Sequence, residues 1–436
     1  MLTSTIITLF FFLIFISLGF PIAYSMIVSG IFYVIFFGGG ISDIIIPFMQ
    51  LKHGVTFSLL AVYLFVFLGN IMNKTAISDY IVATAHKLTP NIPGKTGMIT
   101  ILSCALMGPL TGSANGTTVS IGTIMIPQMK KHGYNENYST ALLAYSGILG
   151  ALIPPSISGI IYALITRSSV MVVWMSLLGA GLTYLLVLVF AHLLFARIRK
   201  YDIEEIGEES NKRTKENYKF YIKALPSILV PLSILGGIYG GVVTATEAGA
   251  LGSFVVILLG LFVYKSIRSH KDIFSSVYIS VNQTANIMFL VCGSFVLSYI
   301  ITSTSVGMHL GYLAVELISN KTAVLLLTEL FLVILGFFMD DNAIIIILAP
   351  IAAATLLPIG IHPCHLAGCF VLVGLIGLVT PPVGVVLYSA STVADVRVER
   401  FLKEIYLFFI PAIISILLVT FIPGITLFFP KLFHLI

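Results

Sequence analysis

The feature that most limits what this chain can become is a ladder of long apolar runs, two of them cut by adjacent prolines, at Pro154-Pro155 and Pro381-Pro382. A helix that crosses a bilayer needs about 20 apolar residues in a row. Runs of that kind recur from one end of the 436 residues to the other. Only 9% of the residues are charged and 58% are hydrophobic, whereas a soluble domain carries roughly 25% charged residues. Lipid is therefore the solvent for most of the chain. Barrel strands would alternate every second residue, and these runs do not, which selects an all-α polytopic membrane protein. The net charge of +5 is small and sits between the runs; it points to a basic cytoplasmic face and not to nucleic-acid binding.

Residues 3–20, 22–38 and 55–73 read as three spans, and the more polar 75–90 as an interfacial or amphipathic helix. The start has no basic region and no small-residue cleavage site, so it reads as a retained first helix. Residues 96–127 hold two short apolar stretches around the Gly- and Thr-rich Gly108–Thr118. Each is too short to cross, so a re-entrant hairpin fits better; such backbone survives at depth only where protein or a wet cavity covers it. A span at 136–166 is broken at Pro154-Pro155, and 169–196 is continuous. Residues 197–223 form the one long polar segment, with Arg197, Arg199, Lys200, Lys219 and Lys223 among its bases, which makes it cytoplasmic. Spans follow at 224–243, 246–264, 282–302 and 305–318, with the basic Lys265-Arg268-Lys271 on the same side as 197–223. A second hairpin covers 321–358 and turns at Asp340-Asp341-Asn342. A second broken span covers 362–394, and a last span runs from about 404 to 428.

The landmarks repeat in order. Pro127 and Pro350 lie 223 residues apart, and Pro154 and Pro381 lie 227 apart. An odd number of crossings between the hairpins makes the two repeats inverted. The chain then divides into N-terminal scaffold helices (1–52), a first repeat (53–196), the basic loop (197–223), linking scaffold helices (224–272) and a second repeat (273–428). Interrupted segments at matching places in two halves mark the binding site of a secondary transporter. Proline lacks an N–H and clashes with the carbonyl four residues back, so two in a row unwind a helix and free carbonyls that can replace an ion's water. Half-helix N-termini add positive dipole ends for an anion. The bland alternative is that the prolines only kink helices for packing.

Glu247, after Thr244-Ala245-Thr246, either caps the helix it opens or lies near the substrate path. Asp340 and Asp341, at membrane depth, are functional candidates that can also cap the second arm. Arg167 snorkels or meets headgroups. Cys104, Cys292, Cys364 and Cys369 read as packing residues without metal-ligand spacing. No catalytic triad, phosphate loop or metalloprotease spacing is present, so an enzyme is not expected.

Gly108–Thr118, then Ser120-Ile121-Gly122 and Ile126-Pro127-Gln128-Met129-Lys130-Lys131-His132-Gly133-Tyr134, resemble the first hairpin of the large membrane (M) subunit of TRAP, or tripartite ATP-independent periplasmic, transporters. Gly150–Ser156, Gly236–Gly241 with Thr246-Glu247-Ala248, and Gly377–Gly384 continue the likeness, which runs from about residue 5 to 425. The resemblance implies an elevator-type fold of the ion transporter superfamily in a bacterial inner membrane. It also implies a small four-helix membrane subunit and a periplasmic binding protein as partners, with sodium-driven uptake of an organic acid, a C4-dicarboxylate or a sialic acid. Two sodium sites are implied, the first from Gly108, Thr111, Gly150, Ile153 and Pro154, the second from Gly336, Gly377, Thr380 and Val383. The substrate is expected near Ser113, Asn115, Ser156, Asp340 and Asn342. Family members commonly have Ser-Gly-Ser where this chain has Thr111-Gly112-Ser113, Ser at Gly108, and Asp-Pro where this chain has Asp340-Asp341-Asn342. The rival reading is a stand-alone sodium-coupled dicarboxylate or citrate transporter of the same superfamily.

Overall fold

In lipid a segment must close its own backbone hydrogen bonds, and helix is the only regular structure among the described residues of the computed structural model, which are 2–37, 49, 57–202, 218–318, 320–337, 339–381 and 384–436. The N-terminal part supplies α1 (Leu2–Ser17), α2 (Ile22–Phe37), α3 (Phe57–Met72) and α4 (Ile77–Leu88). The first hairpin is α5 (Lys95–Thr111) and α6 (Ala114–Lys131). The first broken helix is α7 (Glu136–Gly147, carried on by Leu149–Leu152) and α8 (Ile157–Ile165), bent by 50° at the prolines. Next come α9 (Val170–Arg199), α10 (Tyr218–Tyr239), α11 (Ala245–Leu258, extended by the π-helical Leu259–Val263), α12 (His270–Ser303) and α13 (Val306–Ile318). The second hairpin is α14 (Lys321–Gly336) and α15 (Asp341–Leu356), and the second broken helix is α16 (Pro363–Gly377) and α17 (Val385–Ala394). Helices α18 (Leu402–Phe421) and α19 (Pro423–Leu432) end the chain.

Two packing groups result. In one, α3 and α12 pack together, α11 packs on α3 and α2 on α12. In the other, each hairpin packs on the broken helix that follows it, and the halves exchange partners: α6 packs on α17, and α15 on α8. Helix α9 runs along the second group against α16, α18 and α19. The helices start where the sequence provides caps. Asn135 accepts from the N–H of Asn137 at 2.9 Å, and Thr244 and Glu247 form a reciprocal capping box, so Glu247 has the capping role.

Several boundaries differ from the sequence expectation. Helix α9 runs through Arg197 and Arg199, and Lys219 and Lys223 belong to α10; residues 203–217 of the basic segment lie outside the described residues. Lys271 lies inside α12, which starts at His270 and not near 282. The last span is two helices, because Pro423 cannot continue α18 and opens α19 instead. Arginine belongs on these ends: Arg199 forms a two-pronged pair with Glu404 at 3.0 and 2.9 Å and lies over the Tyr138 ring.

The base of the first hairpin is pinned by Asp202, which is buried. Its carboxylate accepts from the Thr96 N–H (2.9 Å), the Thr96 hydroxyl (3.1 Å) and the Tyr134 phenol (2.6 Å). Burial first, and then the Asp202 charge, hold the Tyr134 phenol well above its ordinary pKa, so it remains a donor. Asp202→Ala strands these donors at roughly 1–3 kcal/mol per orphaned group. The expected result is a Tm several degrees lower in detergent or nanodiscs; an unchanged Tm means that water replaces the carboxylate without loss.

Candidate functional site

The first hairpin turns because Gly112 takes a left-handed conformation (φ 59°) that its lack of a Cβ permits. Its N–H returns to the Gly108 carbonyl at 2.8 Å, and the Ser113 hydroxyl caps α6 by accepting from Gly116 N–H. The facing break is stitched to this tip: Ile157 N–H donates to the Gly112 carbonyl at 3.1 Å. The approach is backbone to backbone. A Cβ on Gly108 would lie 3.0 Å from the Leu149 oxygen and 3.3 Å from that of Ile153; one on Gly150 would lie 2.8 Å from the Ser113 oxygen. The hydroxyls of Thr111 and Thr117, 2.6 Å apart, stand beside these carbonyls. The structure thus brings Gly108, Thr111, Gly150 and Ile153 together, with Pro154 following in the same break.

The second half repeats the construction. Gly384 N–H donates to the Phe337 carbonyl at 3.2 Å, so again the far side of the break is tied to the end of the hairpin's first arm. Gly336 and Gly377 touch: a Cβ on either would lie within 2.7 Å of the other's Cα. Thr380 N–H bonds Gly377, and its hydroxyl bonds Ile376 at 2.9 Å. Val383 and Pro382 lie outside the described residues. Both pinch points present carbonyl and hydroxyl oxygens, a donor set for a hard cation. Among the described residues no cluster of three or more His, Cys, Asp or Glu is placed to hold a metal.

A cavity of about 370 Å³ lies between the tips and the first packing group. Thr111–Gly116 and Ile157-Ser158 line it from one half, Asp340–Asn342 from the other, and Asn70, Asn73, Gln283 and Asn286 from α3 and α12 and their ends. Two hydrogen bonds join the hairpin of one half to the broken helix of the other. Ser158 Oγ donates to the buried Asp341, and Ser389 Oγ donates to Asn115 Oδ1 at 3.1 Å. Asn115 and Asn342 are each the second residue of a hairpin's second arm, 227 residues apart, the spacing of the proline pairs.

A family model described as the DctM component of tripartite ATP-independent periplasmic transporters matches residues 9–425. This chain belongs to that family. It is 30% identical, over 96% of its length, to the isethionate TRAP transporter permease protein DctMQ of Oleidesulfovibrio alaskensis, and spans 65% of that relative. It is 29% identical to the sialic acid TRAP transporter large permease protein SiaM of Vibrio cholerae, over 95% of this chain and 96% of SiaM. Its fold is similar to that of the Alcanivorax borkumensis YdaH transporter, with a TM-score of 0.62 at 13% identity over 88% of this chain and 90% of that one. The family and these relatives are transporter permeases, not enzymes.

Four of the five substrate residues expected from the sequence, Ser113, Asn115, Asp340 and Asn342, line the cavity of this DctM-family chain. Ser156 does not: it is fully buried, its hydroxyl caps α8 by accepting from Gly159 N–H at 3.1 Å and bonds Ala151, and its carbonyl takes the Trp174 indole at 3.0 Å. Asp340 occupies the cap position of α15 without a side-chain cap bond; it accepts from Asn342 Nδ2 at 2.9 Å instead. Arg167 stands beside a second cavity, of about 410 Å³, at the far end of α8. Sequence reasoning missed Asn70, Asn73, Ser158, Gln283, Asn286 and Ser389. The amides carry a signal in hindsight, since amides within or beside apolar runs are costly at membrane depth.

Gly336→Ala and Gly377→Ala each push a methyl into main chain that cannot yield. Both should lower Tm by several degrees or abolish monodisperse protein, whereas Gly374→Ala, with open space at its Cβ, should behave as wild type. Equal behaviour of the three variants disproves the backbone contact.

Proposed function

We propose that this chain is the large transport subunit of a TRAP complex that imports an organic acid down a sodium gradient. The carrying observation is the pair of glycine pinch points, each with main-chain carbonyl oxygens and a threonine hydroxyl close by, on either side of one polar cavity. Sodium is then a co-transported substrate. Gly108, Thr111, Gly150, Ile153 and Pro154 hold one ion, mainly by carbonyls; Gly336, Gly377, Thr380 and Val383 hold the other. Each ion ties a hairpin tip to its broken helix, so loading both stiffens the cavity walls before the substrate is carried.

The organic acid, of the C4-dicarboxylate or sialic acid class, binds between the tips. The names of the two relatives, isethionate and sialic acid, are both organic anions. The hairpins and broken helices, arranged as inverted repeats, move as an elevator against a scaffold of α1–α4 and α10–α12. The partners are the small four-helix membrane subunit, docked on the scaffold, and a periplasmic binding protein. The chain lies in the inner membrane with its basic segments cytoplasmic. The exchange of partners between α6 and α17 and between α15 and α8 supports the repeat reading. The family match favours the tripartite complex over a stand-alone transporter.

In proteoliposomes holding this chain, the small subunit and the binding protein, uptake should need an inward sodium gradient. Equal uptake in potassium excludes the coupling. Thr380→Ala removes the one side-chain oxygen of the second set and should raise the sodium concentration for half-maximal uptake about tenfold, equivalent to about 1.4 kcal/mol. Expression should stay near wild type; parallel losses of expression and uptake would instead assign Thr380 to folding.

A further inference from the structure

We propose that the second cavity, beside Arg167, is an outer receiving site for the transported acid, where Arg167 meets the substrate's carboxylate before it passes to the cavity between the tips. The inference rests on reading the tip cavity as the transport site, and adds the step before it. Three helices carry it. Helix α8 lines the tip cavity with Ile157 and Ser158 and the second cavity with Ile165. Helix α12 lines the first as far as Leu290 and the second from Phe295; α15 lines the first with Asn342 and the second from Pro350. These steps of seven, five and eight residues are a rise of roughly 8–12 Å along each helix. The same three walls therefore line both chambers, one directly beyond the other. Helix α12 belongs to the first packing group, α8 and α15 to the second, so both chambers lie on the seam between the groups.

The lining selects an anion. Among the described residues Arg167 is the only charged group on the walls, and Thr166, Ser298 and Tyr299 add hydroxyls. A guanidinium presents paired donors that match a carboxylate, and hydroxyls can complete the shell. The volume, about 410 Å³, falls within the roughly 300–1,000 Å³ of small-molecule sites. Arg167 holds a left-handed conformation (φ 54°) just past α8, where glycine is the usual residue. Glycine closes such a helix end more cheaply, so closure of α8 does not account for an arginine. Arg167 also lies just ahead of α9, whose other end, about 45 Å away, carries Arg197 and Arg199. With the basic segment cytoplasmic, the second chamber is on the periplasmic side, where the acid arrives.

The test puts a reporter on one wall. Ala354→Cys, in the complete complex in phosphatidylcholine nanodiscs, is reacted with anionic sulfonatoethyl, cationic trimethylammonioethyl and neutral methyl methanethiosulfonates, and labelling of this chain is read by mass spectrometry. Relative to a free thiol in solution, the anionic reagent should be favoured over the cationic one about tenfold, the low end of what a charged cleft gives. Arg167→Gln should abolish that preference and Arg167→Lys keep most of it. Whichever of succinate, sialic acid and isethionate the complex carries should slow the neutral reagent with Arg167 intact, and not in Arg167→Gln. In proteoliposomes Arg167→Gln should lower uptake at limiting acid about tenfold, with half-maximal sodium unchanged. The proposal is overturned if no reagent reaches the cysteine, or if the anion preference is absent or survives Arg167→Gln. It is equally overturned if the carried acid gives no protection, or if uptake at limiting acid is unchanged. If phosphatidylglycerol in the nanodisc blocks the anionic reagent and the acid does not, the site takes a lipid headgroup and the proposal falls. Ala353→Cys serves as reporter if Ala354→Cys does not assemble. If Arg167→Gln does not assemble, or none of the three acids is carried, the reagent preference with Arg167 intact decides. Uptake that persists without a sodium gradient sinks the coupling and leaves this inference standing; a missing anion preference sinks this inference alone.

Discussion

Two close approaches of main chain to main chain, one in each half, organise the hairpin tips of this protein: Gly108 against Gly150, and Gly336 against Gly377. Elsewhere the helices satisfy their own backbone groups and lipid asks nothing more of them. At the hairpin turns and the proline breaks that accounting fails, and the freed groups must find partners within a few ångströms. The glycines let the strands of backbone come close enough. The bonds Ile157 to Gly112 and Gly384 to Phe337 then close part of the deficit. What they leave open is a small set of oxygens at each break.

The cavity follows from this arrangement. The tips are held by their own broken helices, so their positions relative to each other are set by the contacts that cross between the halves. Those contacts are polar as well as apolar: Ser158 reaches Asp341, and Ser389 reaches Asn115. On the other wall Asn70 donates to Ser280 and Gln283 at 2.9 Å each, and Asn73 Oδ1 accepts from Ser120 of the first hairpin.

Much of this was legible from local chemistry. Proline pairs and glycines act on the backbone of their own neighbourhood, so both hairpins and both breaks could be placed to within a few residues. Helix ends were harder. Arg199 and Lys271 look like loop residues by composition, yet Arg199 sits in the last turn of α9, where a basic residue is at home, and Lys271 lies in the first turn of α12, which starts ahead of its apolar run. The sequence expectation places Ser156 near the substrate, whereas a serine just ahead of a helix is first of all a cap, as its bond to Gly159 N–H shows. The pairs that join the halves are 183 and 274 residues apart and leave no local trace in either partner. That distance is why Ser158 and Ser389 went unseen.

The same separation has a consequence for how the protein is made. Asn115 gains its Ser389 partner, and α6 gains the cover of α17, only after some 274 more residues have been synthesised. At roughly 5–20 residues per second, that interval is on the order of half a minute. During it the first hairpin has only its first-half neighbours, and the face that α17 later covers stays open. Until the second half arrives, the polar groups on that face need water or protein beside them rather than open lipid.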